Sequence, residues 1–176
     1  MKIDRRDFVF SLAALAVAPP AFLMGHTTQK DPSATGDGLS DTEKKLLGDI
    51  CEQLIPTDEF PGARELNVVE FIDRMLTEAH PDWIVVYRSG LKSTELCSQE
   101  LHGKRFSELE WDQQTQFLTK MQRGDLPWLL WNGLECGEFF GMVLSHTMHG
   151  YYSHPKWGGN RDKLAWKMIG YDDWWV

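Results

Sequence analysis

From Ser40 onward the apolar residues of this chain recur at three- and four-residue intervals, and no run alternates apolar and polar residues over a useful strand length. That period points to helices. Ser40-Asp41-Thr42-Glu43 has the capping-box pattern, Leu46, Leu47, Ile50 and Leu54 follow on one helical face, and Pro56 ends the run. Val68, Val69, Phe71, Ile72, Met75, Leu76 and Ala79 predict a second helix, closed by His80-Pro81. Residues 83–101 read as a third, with Ser89-Gly90 as the place where it could bend. Residues 107–110 repeat the capping pattern ahead of a fourth helix carrying Trp111, Phe117, Leu118 and Met121. Pro127 suits the first turn of a fifth, over Trp128, Leu129, Trp131, Leu134, Phe139, Phe140, Val143 and Leu144. Its apolar residues cover much of its circumference, as in a helix central to a bundle or pressed on a partner. The expected fold is all-α: a compact bundle of about five helices. An irregular segment rich in aromatics and glycine follows from Gly150, with a short helix near residues 162–168.

The N-terminus obeys different rules. Lys2, Arg5 and Arg6 make a basic start, and residues 8–24 are apolar and uncharged, with Pro19-Pro20 inside. A short basic region followed by such a stretch reads as an export signal. Asp4-Arg5-Arg6-Asp7-Phe8-Val9-Phe10 has the twin-arginine form, with aromatic Phe8 two places after Arg6. That route carries folded proteins, often ones that load a cofactor or assemble before export, and it places the chain in the periplasm. Ala16-Val17-Ala18 has suitable small residues, but Pro19 follows directly. Cleavage near Gly25 or His26 and retention as an anchor both stay open. Residues 26–39, rich in Thr, Ser, Gly, Asp and Pro, read as a flexible linker. The expected division is therefore a signal over 1–25, a linker over 26–39 and one helical domain over 40–176.

A length of 176 residues, 42% of them hydrophobic, supports one domain core. The chain carries a formal charge of −8. Without residues 1–24, which hold three basic and two acidic side chains, 15 basic and 24 acidic remain, a net of −9. That balance argues against nucleic acid as a partner. Cys51, Cys97 and Cys136 are far apart in sequence and form no CxxC pair. One disulfide with a leftover thiol and three buried thiols are both compatible with this spacing.

Three histidines, His146, His149 and His154, fall within nine residues. On a helix His146 and His149 share a face, which suits metal ligation, and a stand-alone metal enzyme is the rival reading. No carboxylate or cysteine lies between them to complete a shell, although Glu135 and Glu138 stand earlier on the same predicted helix. The plainer reading is that they cap the helix end, bond backbone carbonyls or face a partner. Gly158-Gly159-Asn160 lacks the strand and spacing of a phosphate loop and reads as a tight turn whose Asn caps the next helix. In 55–63, Asp58 and Glu59 are adjacent acids, and Asp58 more simply closes an Asx turn. No GxSxG elbow, CxxCH or Rossmann fingerprint is present. Eight Trp, nine Phe and four Tyr are more aromatics than so small a helical domain easily buries, which points to a partner surface.

Several segments together resemble a family, the small subunit (subunit 3) of membrane-associated gluconate 2-dehydrogenase and related flavin-dependent fructose and glucose dehydrogenases. They are the twin-arginine start, Ile55-Pro56-Thr57-Asp58 with Pro61-Gly62-Ala63, Phe71-Ile72-Asp73, Tyr87 with Gly90-Leu91, Phe106 with Leu109, and Phe139-Phe140. The most specific is His146-Thr147, Gly150-Tyr151-Tyr152, Pro155, Gly158-Gly159-Asn160, Trp166 and Ile169-Gly170-Tyr171. Trp157 stands where the family often has Tyr, and His154 where a small acidic or polar residue is usual. The resemblance implies a separate catalytic flavoprotein of the glucose–methanol–choline type that binds FAD and oxidises a sugar or alcohol. Electrons from it often pass to a membrane-bound multihaem cytochrome c subunit. The small subunit itself binds no flavin, helps the large one mature and lends its signal to carry it through the twin-arginine translocase. On this reading the chain has no catalytic, cofactor-binding or metal residues. Arg5, Arg6 and Phe8 serve export. Phe139, Phe140, His146, Thr147, His149, Gly150, Tyr151, Tyr152, Pro155, Trp157, Gly158, Gly159, Asn160, Trp166 and Tyr171 are structural or partner-interface positions.

Overall fold

The computed structural model describes residues 38–171, all within one compact unit, Pro32–Val176. The expected export signal, most of the expected linker and the aromatic pair Trp174-Trp175 lie outside the described residues. Among the described residues six α-helices form: α1 Asp41–Leu54, α2 Val68–Arg74, α3 Ile84–His102, α4 Trp111–Arg123, α5 Cys136–Tyr152 and α6 Leu164–Met168. Among the described residues there is no strand, so the fold is all-α as its periodicity requires.

Local chemistry sets most of the boundaries. At the start of α1 the Glu43 N–H donates to Ser40 Oγ at 3.4 Å and the Ser40 N–H to Glu43 Oε2 at 2.8 Å, a closed capping box. Leu39 and Gly38, assigned from sequence to the linker, are already docked. Leu39 is buried with its N–H on Asp73 Oδ1 at 2.7 Å, and Arg88 Nη2 holds the Gly38 carbonyl at 3.0 Å. Helix α2 continues into a wide π turn, Met75–Ala79, and stops at His80 ahead of Pro81. Gly103 and Gly124, at φ of 66° and 77°, end α3 and α4 in the left-handed conformation that favours glycine.

Three boundaries differ from expectation. Ser89-Gly90 does not bend α3; the helix runs through it. Gly90 is there because the Phe139 ring lies against it, and an added Cβ would overlap that ring. The cap of α4 is not at Ser107. Residues Phe106–Glu108 form a separate 3-10 turn, and α4 starts after Glu110, whose N–H donates to Gln113 Oε1 at 3.1 Å. The fifth helix starts at Cys136 rather than near Pro127. Trp128–Trp131 is a 3-10 turn, and Asn132 and Gly133, both at positive φ, break the chain before α5 begins.

Helix α5 is central. It packs against each of the other five helices. Phe139, Phe140, Val143 and Tyr151 on it are buried, among Leu47, Ile50 and Leu54 of α1, Ile72 of α2, Leu91 of α3 and Phe117, Leu118 and Met121 of α4 in the same core. Phe139 is fixed from two sides, by Tyr87 with centroids 5.9 Å apart and by Trp131 at 6.0 Å.

This packing gives Gly90→Ala a definite sign. Alanine favours a helix by about 1 kcal/mol over glycine, but an added methyl in a filled core costs about 1–3 kcal/mol. Since the Phe139 ring is held on both sides, the substitution should lower the urea midpoint. A raised midpoint would mean that the ring can move aside and that the contact is not what requires glycine.

Candidate functional site

Between His146 and Tyr171 the chain leaves α5, makes two 3-10 turns at Pro155–Trp157 and Arg161–Lys163, and closes with α6. The Gly158-Gly159-Asn160 turn is the lock. Gly158 sits at φ 105°, and Gly159 lies so close to the Gly150 carbonyl that a Cβ would overlap it. Asn160 is fully buried in the left-handed conformation, which asparagine tolerates better than most residues. Its Nδ2 donates to the Ser153 carbonyl and its Oδ1 accepts the Ala165 N–H, each at 3.0 Å. Asn160 therefore ties the end of α5 to the start of α6 and caps the latter.

The loop after α1 is held in a similar way. Glu52 Oε1 accepts from the Thr57 N–H and hydroxyl at 2.8 and 2.7 Å, and its Oε2 from the Arg64 N–H at 3.1 Å. Asp58 closes an Asx turn on the Phe60 N–H at 2.8 Å. From α5 the Tyr151 hydroxyl donates to the Pro61 carbonyl at 2.7 Å. The carboxylates of Glu52 and Asp58 are thus committed to backbone donors.

His146 sits in a stack of nearly parallel rings. Trp83 is 5.3 Å away at 12°, Tyr87 is 5.9 Å away at 11°, and His80 in turn stacks on Trp83 at 4.1 Å. His146 Nδ1 and the Tyr87 hydroxyl share a hydrogen bond of 2.8 Å. Burial first, then the neighbouring His149 and His80, hold the imidazole's pKa down to about 4, so it is neutral near pH 7. The buried Tyr87 phenol is pushed well above its ordinary range by desolvation. Thr147 donates to the Val143 carbonyl at 2.7 Å and meets Cys51 Sγ at 3.2 Å. Burial pushes the Cys51 thiol up to about 12, which keeps it protonated and a poor nucleophile.

The three histidines do not assemble a metal centre. His146 and His149 have centroids 6.5 Å apart, while His154 accepts the Lys156 N–H on Nδ1 at 3.1 Å and meets the Trp166 edge at 5.4 Å. Among the described residues no group of three or more His, Cys, Asp or Glu is placed to hold a metal ion. All three cysteines are buried free thiols. No helix of the described residues is long and apolar enough to cross a membrane.

The expected interface residues divide by exposure. Phe139, Phe140, His146, Thr147, Gly150, Tyr151, Gly159 and Asn160 are buried within the chain. Pro155, Gly158 and Trp166 are half-buried, and His149, Tyr152, Trp157 and Tyr171 are exposed. The first group shapes the surface; only the second and third can touch another molecule directly. Arg5, Arg6 and Phe8 lie outside the described residues.

The model of one family, gluconate 2-dehydrogenase subunit 3, matches residues 41–173, well over half of the chain. The chain belongs to the gluconate 2-dehydrogenase subunit 3 family. It is accordingly a small subunit of a dehydrogenase complex, and catalytic subunits are its partners. No curated protein and no solved structure matches it. Two features escaped the sequence. Trp128 and Leu129, at 78% and 73% exposure, stand out from the turn before α5; the Asn132-Gly133 pair was the available turn signal. The alliance of His80, Trp83 and Tyr87 with His146 had no signal, because it joins one short stretch of chain to a residue 59 positions beyond Tyr87.

The His146 stack predicts a pH dependence. Its folded pKa of about 4 lies below the ordinary 6.5, so the unfolded chain takes up the proton first as pH falls. Its contribution to stability is intact above about pH 6.5 and is lost progressively towards pH 4. Unfolding free energies at pH 7.5 and 4.5 for wild type and His146→Gln should show their difference shifting by roughly 1–3 kcal/mol against the wild type. A difference independent of pH would contradict the neutral, buried imidazole.

Proposed function

We propose that this chain is the non-catalytic small subunit of a periplasmic, FAD-dependent dehydrogenase of the glucose–methanol–choline type acting on a sugar or alcohol. On this reading the FAD resides in the separate catalytic subunit, and the chain assists that subunit's maturation and its twin-arginine export. The observation that carries the proposal is the family match over residues 41–173 in a chain that also begins with Arg5-Arg6-Asp7-Phe8 and an apolar stretch. The interior chemistry agrees with it. The polar side chains of His146, Thr147, Cys51, Glu52, Asp58 and Asn160 are engaged in contacts that hold the fold. Electrons from the flavin would leave through a further carrier, with a multihaem cytochrome c subunit as the expected acceptor. The complex would then sit at the inner membrane.

Deleting the chain in its native host should leave the catalytic subunit in the cytoplasm or poorly loaded with FAD, measured by fractionation and by flavin fluorescence of the purified subunit. Restoring the chain with Arg5→Lys/Arg6→Lys should rescue flavin content but not export. An exported and fully active flavoprotein in the deletion strain would end the proposal.

A further inference from the structure

Resting on the subunit reading above, we propose that the outer surface of residues 152–171 is the docking face for the catalytic subunit, and that it receives an acidic patch there. The segment is a chain of ring contacts. Trp166 donates its indole N–H to the Tyr152 carbonyl at 2.7 Å and meets Tyr171 at 5.0 Å and His154 at 5.4 Å, edge to face. Trp157, Ile169 and Tyr171 are about half exposed, and Tyr152 is 38% exposed. Beneath them the two Asn160 bonds and the Gly159–Gly150 contact hold the backbone in place. Large rings presented on a backbone already fixed lose little entropy on binding, which is why Trp and Tyr dominate interface energetics.

Charge selects the occupant. Residues 153–171 hold four cations, Lys156, Arg161, Lys163 and Lys167, against one acid, Asp162. Counting Asp172 and Asp173 as well, residues 153–176 stand at +1, while the remainder of this −8 chain stands at −9. Lys156 Nζ lies 5.0 Å from the Trp157 ring centre and Lys163 Nζ 5.9 Å from that of Trp166, so positive charge and aromatic surface occupy the same ground. An acidic molecule that concentrates its cations on its aromatic face is steered to present that face to a negative surface and is turned away elsewhere. The most exposed large apolar pair, Trp128-Leu129, stands in the turn before the N-terminus of α5, whereas Tyr152 ends that helix. A 17-residue helix is about 25 Å long. The two features can therefore be tested separately.

The test uses the full chain and the catalytic subunit co-expressed and purified as a complex, with dissociation measured at low and high salt. Lys156→Glu/Lys167→Glu replaces two exposed cations whose side chains hold no element together; an unchanged thermal midpoint confirms folding. The proposal expects this variant to weaken the complex about tenfold or more at low salt and to flatten its salt dependence. It expects Trp128→Ser/Leu129→Ser to stay within about twofold of wild type. Undiminished affinity in the charge-reversed variant overturns the docking face while leaving the subunit reading intact. So does a loss confined to the Trp128-Leu129 variant. If charge reversal abolishes only binding to vesicles containing anionic phospholipid, or only self-association, the occupant is a membrane or a second copy and the proposal is wrong. A wild-type chain that forms no complex with the catalytic subunit removes the subunit reading itself.

Discussion

The described fold is arranged around one helix whose inward faces carry polar as well as apolar side chains. Helix α5 touches all five other helices, so the polar groups it carries inside must find partners inside or cost more than the packing returns. They do find them. His146 meets the Tyr87 hydroxyl, Thr147 bonds the Val143 carbonyl and meets Cys51, and Tyr151 reaches the Pro61 carbonyl. These contacts fasten α5 to α3, to α1 and to the loop behind α1. At its C-terminal end Ser153 presents a carbonyl that Asn160 fills. The family motif thus reads as a set of solutions to one burial problem.

The same contacts set the chemistry of the buried groups. A neutral imidazole shielded by Trp83 and Tyr87 is a poor general base near pH 7, and a thiol pushed to about 12 is a poor nucleophile. Family membership places the chain beside catalytic subunits.

Much of the fold was legible in the residues, for physical reasons that can be named. Ser40 and Glu43 announced α1 because capping is local, and Pro56 and Pro81 marked ends because a missing N–H is local too. The all-α architecture followed from the period of the apolar residues. The errors came where tertiary contact overrides local preference. Gly90 looked like a hinge, yet its role is set by Phe139, which lies 49 positions further along the chain. The start of α5 is not legible because apolar residues from 128 to 144 keep a helical period across Asn132-Gly133, while Trp128 and Leu129 in fact stand in a separate turn facing solvent. The motif from His146 to Tyr171 was found as a unit, but sequence could not separate its buried members from its exposed ones. That separation depends on which ring lies over which.

On the proposed docking, the aromatic side chains of this chain divide between an interior fixed by α5 and a surface at that helix's C-terminal end that the catalytic subunit covers. Amide hydrogen exchange, compared between the free chain and its complex with the catalytic subunit, tests this most directly. The interior of α5 should be well protected in both states, and new protection on assembly should concentrate in residues 152–171. Protection that instead appears around residues 126–134 or along the 55–63 loop, with 152–171 unchanged, would contradict the account.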